Sequence, residues 1–154
     1  MSKDTKKPRT NHGRSAARLA AVQAIYSLDI NPESATIRVI ADFSGNYLME
    51  GTDKILFGKL VDGTQSRRAD VDEMIIPNLA SGWTIDKIDS VLRAILRVAV
   101  WELLEMTEVP SRVVINEYVE IAHAFFTGGE PGMVNGLLDK LARRLRAAEF
   151  GENA

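Results

Sequence analysis

Cysteine is absent from this 154-residue chain. That excludes a disulfide framework, a thiolate nucleophile and any cysteine-based metal site. Histidine is scarce as well. His12 and His123 lie far apart in the chain, so no imidazole pair suggests a metal centre. No apolar run approaches the roughly 18 residues needed to span a bilayer. The basic N-terminus has no apolar segment behind it, unlike a secretory signal. The expectation is a cytoplasmic protein with no membrane association. The Gly-x-Ser-x-Gly elbow, the His-Glu-x-x-His motif and the dinucleotide fingerprint are all missing. Gly51 to Lys59 imitates a phosphate loop, but six residues separate Gly51 from Gly58 where four are needed, and Leu60 replaces the magnesium-binding hydroxyl. Glu117 and Glu120 share a helix face, where solvation or salt bridging explains them better than acid–base chemistry. Neither an enzyme nor a cofactor is indicated.

What is present is a sharp charge asymmetry. Net charge is only −2. Residues 1–18, however, carry Lys3, Lys6, Lys7, Arg9, Arg14 and Arg18 against Asp4 alone, while the remainder holds 13 basic and 20 acidic side chains. A basic arm on an acidic body reads either as a nucleic-acid-facing terminus or as a solubilising tail.

Length predicts one domain with a real core. Residues 1–12 show no apolar periodicity and are expected to form a flexible basic arm, with residues 13–148 as a helical domain and 149–154 as a flexible tail. Ser15 is a candidate N-cap before Leu19, Val22 and Tyr26. Asn31-Pro32-Glu33 predicts the start of a second helix, with Ile37, Ile40 and Tyr47 as its inward stripe. Thr52-Asp53 opens a third, carrying Ile55, Leu56 and Leu60; Val71, Ile75 and Leu79 mark a fourth, interrupted by Pro77. Val91 to Met106 is apolar on nearly every side and predicts a buried central helix. Its charges Arg93, Arg97, Glu102 and Glu105 then need partners on neighbouring helices. Val114, Tyr118, Ile121 and Phe125 form another stripe. A Gly/Pro-rich break at 128–132 precedes the last, Val134, Leu138, Leu141 and Leu145. The fold expected is all-α, a compact bundle of six or seven helices in two packed halves.

Two strings near the C-terminus place Asn inside helical apolar patterns: Val-Ile-Asn-Glu at 114–117 and Val-Asn-Gly-Leu-Leu-Asp at 134–139. Asn is a poor helix former, so its placement there twice points to specific polar contacts. With Ala-Val-Gln-Ala-Ile-Tyr-Ser at 21–27, Arg-Ala-Ile-Leu-Arg-Val-Ala-Val-Trp-Glu-Leu at 93–103 and Val-Pro-Ser-Arg at 109–112, these strings resemble, in order from about Arg14 to Arg143, the NusB family of bacterial transcription antitermination factors. The resemblance implies a helical RNA-binding protein of the RNA polymerase antitermination complex. It implies binding to the boxA element of nascent ribosomal transcripts together with ribosomal protein S10.

By that resemblance the RNA-binding candidates are Lys6, Lys7, Arg9, Arg14, Arg18, Gln23, Tyr26, Met133 and Asn135. Several have a second reading: a salt bridge on the acidic body for Arg18, a core edge for Tyr26, a helix surface for Gln23, a loop cap for Asn135. Gly132-Met133 departs from family members that carry a basic and an aromatic residue there. The partner-binding candidates are Asn78, Trp83, Leu92 and Arg93, with core packing the alternative for Trp83. Leu92 stands where an acidic residue is common in the family. Arg97, Glu102, Asn116, Glu117 and Asp139 are expected to form a structural polar network. Arg143, Arg144 and Arg146 are expected to complement the last helix dipole. Rival readings are a helical protein-interaction module, as a monomer or as a homodimer that hides the RNA surface, and an RNA-binding subunit for ribosomal RNA modification.

Overall fold

The computed structural model describes residues 11–151. Among these it has seven α-helices and no strand: α1 (Asn11–Ile30), α2 (Thr36–Asn46), α3 (Lys54–Ser66), α4 (Arg68–Ile75), α5 (Ser90–Glu105), α6 (Ser111–Phe125) and α7 (Glu130–Leu145). Short 3-10 turns cover Ile76–Asn78, Ile85–Lys87 and Ala147–Phe150. Helix α5 is the axis. It packs against α1, α3 and α4 on one side and α6 and α7 on the other, which makes the two halves. Ala94 to Leu103 is buried without a break, as an all-round apolar helix requires.

Both ends of α5 are closed by side chains. The Asp89 carboxylate accepts from the backbone amides of Val91 at 2.7 Å and Leu92 at 3.2 Å, satisfying two orphan donors. At the other end buried Arg146 donates to the carbonyls of Leu103 (3.0 Å), Met106 (3.1 Å), Glu102 (3.4 Å) and Val109. Arg146 is therefore no exposed last-turn cation of α7, as expected from sequence, but a clamp from the C-terminal segment onto the end of α5.

The start of α1 is pinned by a close backbone approach. The Asp53 amide donates to the Gly13 carbonyl at 3.1 Å. A Cβ on Gly13 would lie 2.7 Å from the Gly51 carbonyl oxygen, so a glycine is required there.

Several local expectations are corrected. Helix α1 already includes Asn11 and His12, which were assigned to the arm, and Ser15 is no cap. Its hydroxyl instead donates to Glu117 at 2.7 Å. Lys3, Lys6, Lys7 and Arg9 lie outside the described residues. Asn31 to Ser34 forms a turn, and α2 begins only after Ala35. With that start Val39 faces inward, while Ile37 is 78% exposed and Tyr47 69% exposed. Helix α7 begins at Glu130, so Gly132-Met133 sits in its first turn rather than in the break. Residues 149 and 150, assigned to a flexible tail, belong to the 3-10 turn Ala147–Phe150. Glu149 accepts from the amide and hydroxyl of Ser111 at 2.9 and 2.6 Å, and Arg143 lies 4.6 Å above the Phe150 ring.

Candidate nucleic-acid and partner surfaces

The polar residues of the central helix resolve into two separate clusters. In the first, Glu102 is fully buried. Arg18 of α1 grips its carboxylate with Nε at 3.0 and 3.1 Å and Nη2 at 2.7 Å. The Tyr118 hydroxyl of α6 donates to the same carboxylate at 2.7 Å, and Arg18 Nη1 lies 3.4 Å from Glu117. Burial works against the Arg18 charge, but the hydrogen bond and charge of Glu102 outweigh it and raise the guanidinium pKa. Burial together with the neighbouring Glu102 pushes the Tyr118 hydroxyl well above its usual value. This triad joins α1, α5 and α6. Arg18 is 3% exposed, and its guanidinium is held in the salt bridge with Glu102.

The second cluster centres on Asp29 at the end of α1. Arg93 donates to it at 2.9 and 2.6 Å, with Arg97 and Arg68 each at 3.5 Å. Burial raises the Asp29 pKa, but the hydrogen bond and charge of Arg93, with Arg97 and Arg68, hold it below the ordinary carboxylate range. Arg97 also grips Asp72 at 2.8 and 2.9 Å. The polar network expected from sequence thus divides. Arg97 belongs to one cluster, Glu102 and Glu117 to the other. Asp139 pairs with Arg143 within α7 at 3.0 Å. Asn116 is exposed and outside both.

The sequence candidates at the head of α7 also divide. Met133 and Asn135 are two residues apart, about 200° around the helix axis, and they line different grooves. Met133 is in a cavity of about 430 Å³ with Asn78, Trp83, Ile88 and Leu92, all but Asn78 apolar, along with Lys87 and Asp89. Trp83 is 52% exposed at its edge. Arg93 lies behind this groove and donates to the Ile85 and Ile88 carbonyls at 3.1 and 3.0 Å. It fixes the turn that precedes α5 and has no place in the lining.

Asn135 lies in a cavity of about 700 Å³ with Glu108, Arg112, Asn116, Asp139 and Phe150. A second cavity, of about 380 Å³, holds Arg14 beside Glu108, Asn116 and Glu117. The two share Glu108, Pro110 and Asn116 in their linings, so they adjoin at the start of α6. Gln23 is exposed on α1, about 180° around the axis from Arg14, and Tyr26 is half-buried against the core. His123 is exposed. The described residues contain no group of acids and histidines suited to a metal, and no helix long and apolar enough to cross a membrane.

Sequence reasoning missed Arg112 and the partners Asp29, Asp72 and Tyr118. Tyr118 alone gave a signal: a tyrosine on an inward stripe needs a hydrogen-bond acceptor in the core.

A model of the family described as NusB matches residues 15–143. The transcription antitermination protein NusB of Rhodospirillum rubrum is 40% identical over 171 aligned residues, spanning 94% of this chain and 92% of that one. The NusB protein of Nitrobacter hamburgensis is 44% identical over 146, spanning 89% and 90%. A solved structure of T. maritima NusB superposes with a TM-score of 0.77 at 25% identity, covering 95% of this chain and 99% of that one. Helix order, colinear motifs and near full-length similarity agree, and this chain belongs to the NusB family of transcription antitermination proteins, a non-enzymatic family.

Proposed function

We propose that this chain is a cytoplasmic antitermination factor. It binds boxA-like single-stranded RNA in nascent ribosomal transcripts jointly with ribosomal protein S10, within the RNA polymerase antitermination complex. Family membership over residues 15–143 carries the reading. The surface supports it at Arg14, which forms no ion pair among the described residues and continues the positive line of Lys6, Lys7 and Arg9. Phosphate contacts need cations but little geometry, which suits an arm that leads into a helix. Gln23 and Tyr26 offer an amide and a ring further along α1 for base edges or stacking. Arg18 serves indirectly, by fixing α1 to α5 and α6.

The protein partner takes the groove of Asn78, Trp83, Leu92 and Met133. Trp is favoured at interface hot spots, and its exposed indole beside two apolar side chains is a ready anchor. Arg93 positions that groove from behind. Joint occupancy raises affinity because the second contact becomes effectively intramolecular. The same groove favours one alternative, a protein-interaction module that pairs with its own copy.

The test is titration into labelled boxA-like RNA and a scrambled control, each with and without S10, at near-physiological salt. Selective binding strengthened by S10 is expected. Equal weak binding to both RNAs with no S10 effect overturns the reading. A dimer that persists when RNA is added favours the alternative.

A further inference from the structure

We propose that the outer face of the α2–α3 pair is a self-association surface, on which a second copy of this chain docks in a twofold contact. The proposal does not depend on the RNA-binding reading, and it concerns residues outside every groove described above.

Single exposed apolar side chains are ordinary on a folded protein, whereas a cluster of them marks a contact surface. The four most exposed large apolar side chains among the described residues are Ile55 at 83%, then Ile37, Tyr47 and Met49 at 68%. All four fall between residues 37 and 55, on α2, on α3 and on the loop that joins them. At the seam of the two helices Phe43 lies on Phe57, and a Cβ on Gly58 would be 3.9 Å from Ile40. Ile37 is three residues before Ile40, and Ile55 is three before Gly58. Each therefore sits about one turn from that contact and about 60° around its axis, on the solvent side of the seam. Tyr47 extends the row, its ring edge-on to Phe43 at 5.4 Å. Helix α2 packs chiefly on α1 and α3, and Val39 is its one buried residue, so its outer side is unpartnered.

Charge selects the occupant. The exposed charged residues of α2, α3 and their loop number three of each sign: Arg38, Lys54 and Lys59 against Asp42, Glu50 and Asp62. None of the six forms an ion pair among the described residues. A phosphate backbone requires an excess of cations, and a strongly charged peptide requires an excess of the opposite sign. This face offers neither. A twofold contact sets one patch against itself, so every positive group needs a negative counterpart on the same surface. Here the two signs are present in equal number around an apolar centre. No residue from 36 to 62 lines the partner groove or the cavities beside Asn116. Docking here leaves both open, unlike pairing through the Trp83 groove. The joining loop also anchors α1 through the Asp53 amide on the Gly13 carbonyl, which sets the two α1 heads beside the contact.

Sedimentation velocity on the full chain, from about 1 to 300 μM, tests the proposal across the range of a small transient interface. A dimer with a dissociation constant of about 30 μM is expected, so the chain is monomeric at the nanomolar concentrations of an RNA titration. Ile37→Glu and Ile55→Glu, each checked by circular dichroism and urea unfolding, should weaken it by about tenfold or more. Trp83→Ala should leave it unchanged. Lys54→Glu with Lys59→Glu, and separately Asp42→Lys with Asp62→Lys, should each abolish self-association. Mixed in equal amounts, these two charge variants should pair with each other, and the pairing should weaken with salt.

A monomer throughout the range overturns the proposal, as does a dimer that both isoleucine variants retain. A dimer lost in Trp83→Ala moves the contact to the groove and overturns it too. Charge variants that fail to pair when mixed overturn the self-complementary contact. A monomeric parent whose binding to S10 or RNA is lost in Ile55→Glu gives the face to that partner instead.

Discussion

A guanidinium buried at 3% exposure has to be neutralised where it lies, and in this protein one carboxylate does most of that work. Glu102→Gln leaves Arg18 charged in the core. The expected cost is about 3–5 kcal/mol of unfolding free energy, the range for breaking one partner of a buried pair. Replacing both, as Arg18→Met with Glu102→Leu, should recover most of that loss in urea denaturation. A double variant as unstable as the single one would mean that the pair is not the unit of stability. Arg14 should behave in the opposite way. It is partly exposed and unpaired among the described residues, so Arg14→Ala should change stability by less than about 0.5 kcal/mol. The same change should weaken RNA binding and shallow its salt slope by about 0.7. On the proposed function, two arginines one turn apart on α1 would divide folding from binding, and the pair of measurements tests that division.

At the scale of elements, α5 is held by its ends as much as by its faces. Removing the cap with Asp89→Ala should cost about 1 kcal/mol and loosen the turn that carries Ile88 into the groove beside Trp83 and Leu92, seen as faster amide exchange over residues 85–92. Gly63 on α3 makes a sharper test, because a Cβ there would lie 2.1 Å from the Trp101 ring of α5. Gly63→Ala must displace that ring, and overpacking of this kind costs about 1–3 kcal/mol.

The central helix was legible in the sequence because a segment apolar on nearly every side has one good solution, burial at the centre of the bundle. Helix α2 was not. Ile37, Ile40 and Tyr47 make one plausible stripe, and Val39 with Phe43 makes another at i,i+4. Only packing on α3, with Phe43 against Phe57 at 5.7 Å between ring centroids, turns Val39 and Phe43 inward beside Ile40 and leaves Ile37 and Tyr47 outside. The ion pairs show the same limit. That Arg97 and Glu102 need partners off the helix followed from spacing, yet Asp72, Asp29 and Arg18 are 25, 68 and 84 residues away along the chain. No local pattern encodes a contact of that separation. Met133 and Asn135 entered as one RNA cluster through the family resemblance, and helical geometry puts them on two faces.

The whole molecule is an electrostatic arrangement whose parts lose their balance at different pH and salt. Asp29 and Glu149 both titrate below their ordinary values in the folded protein. Carboxylates shifted in this direction contribute stability above the unfolded-state pKa, near 4, and lose it as pH falls through the folded-state value. Thermal stability should therefore hold steady from neutral pH down to about 5 and then decline. Asp29→Asn should flatten part of that decline while lowering stability at neutral pH, because Arg93 then lacks its counter-charge. On the proposed function, RNA binding should respond to the other half of the asymmetry, the positive residues 1–18 set against a negative remainder. If the arm and Arg14 together make about five phosphate contacts, log affinity should fall against log salt with a slope near −3.5. Deletion of residues 1–10 spares Asn11–Ile30, the described span of α1, and keeps its Gly13 anchor on the α2–α3 loop. The truncated protein should keep its unfolding midpoint, and its slope should shrink to about −0.7 on minimal RNA, the share of Arg14 alone. A slope unchanged by the deletion would take the arm out of the mechanism and move the phosphate contacts onto the folded surface.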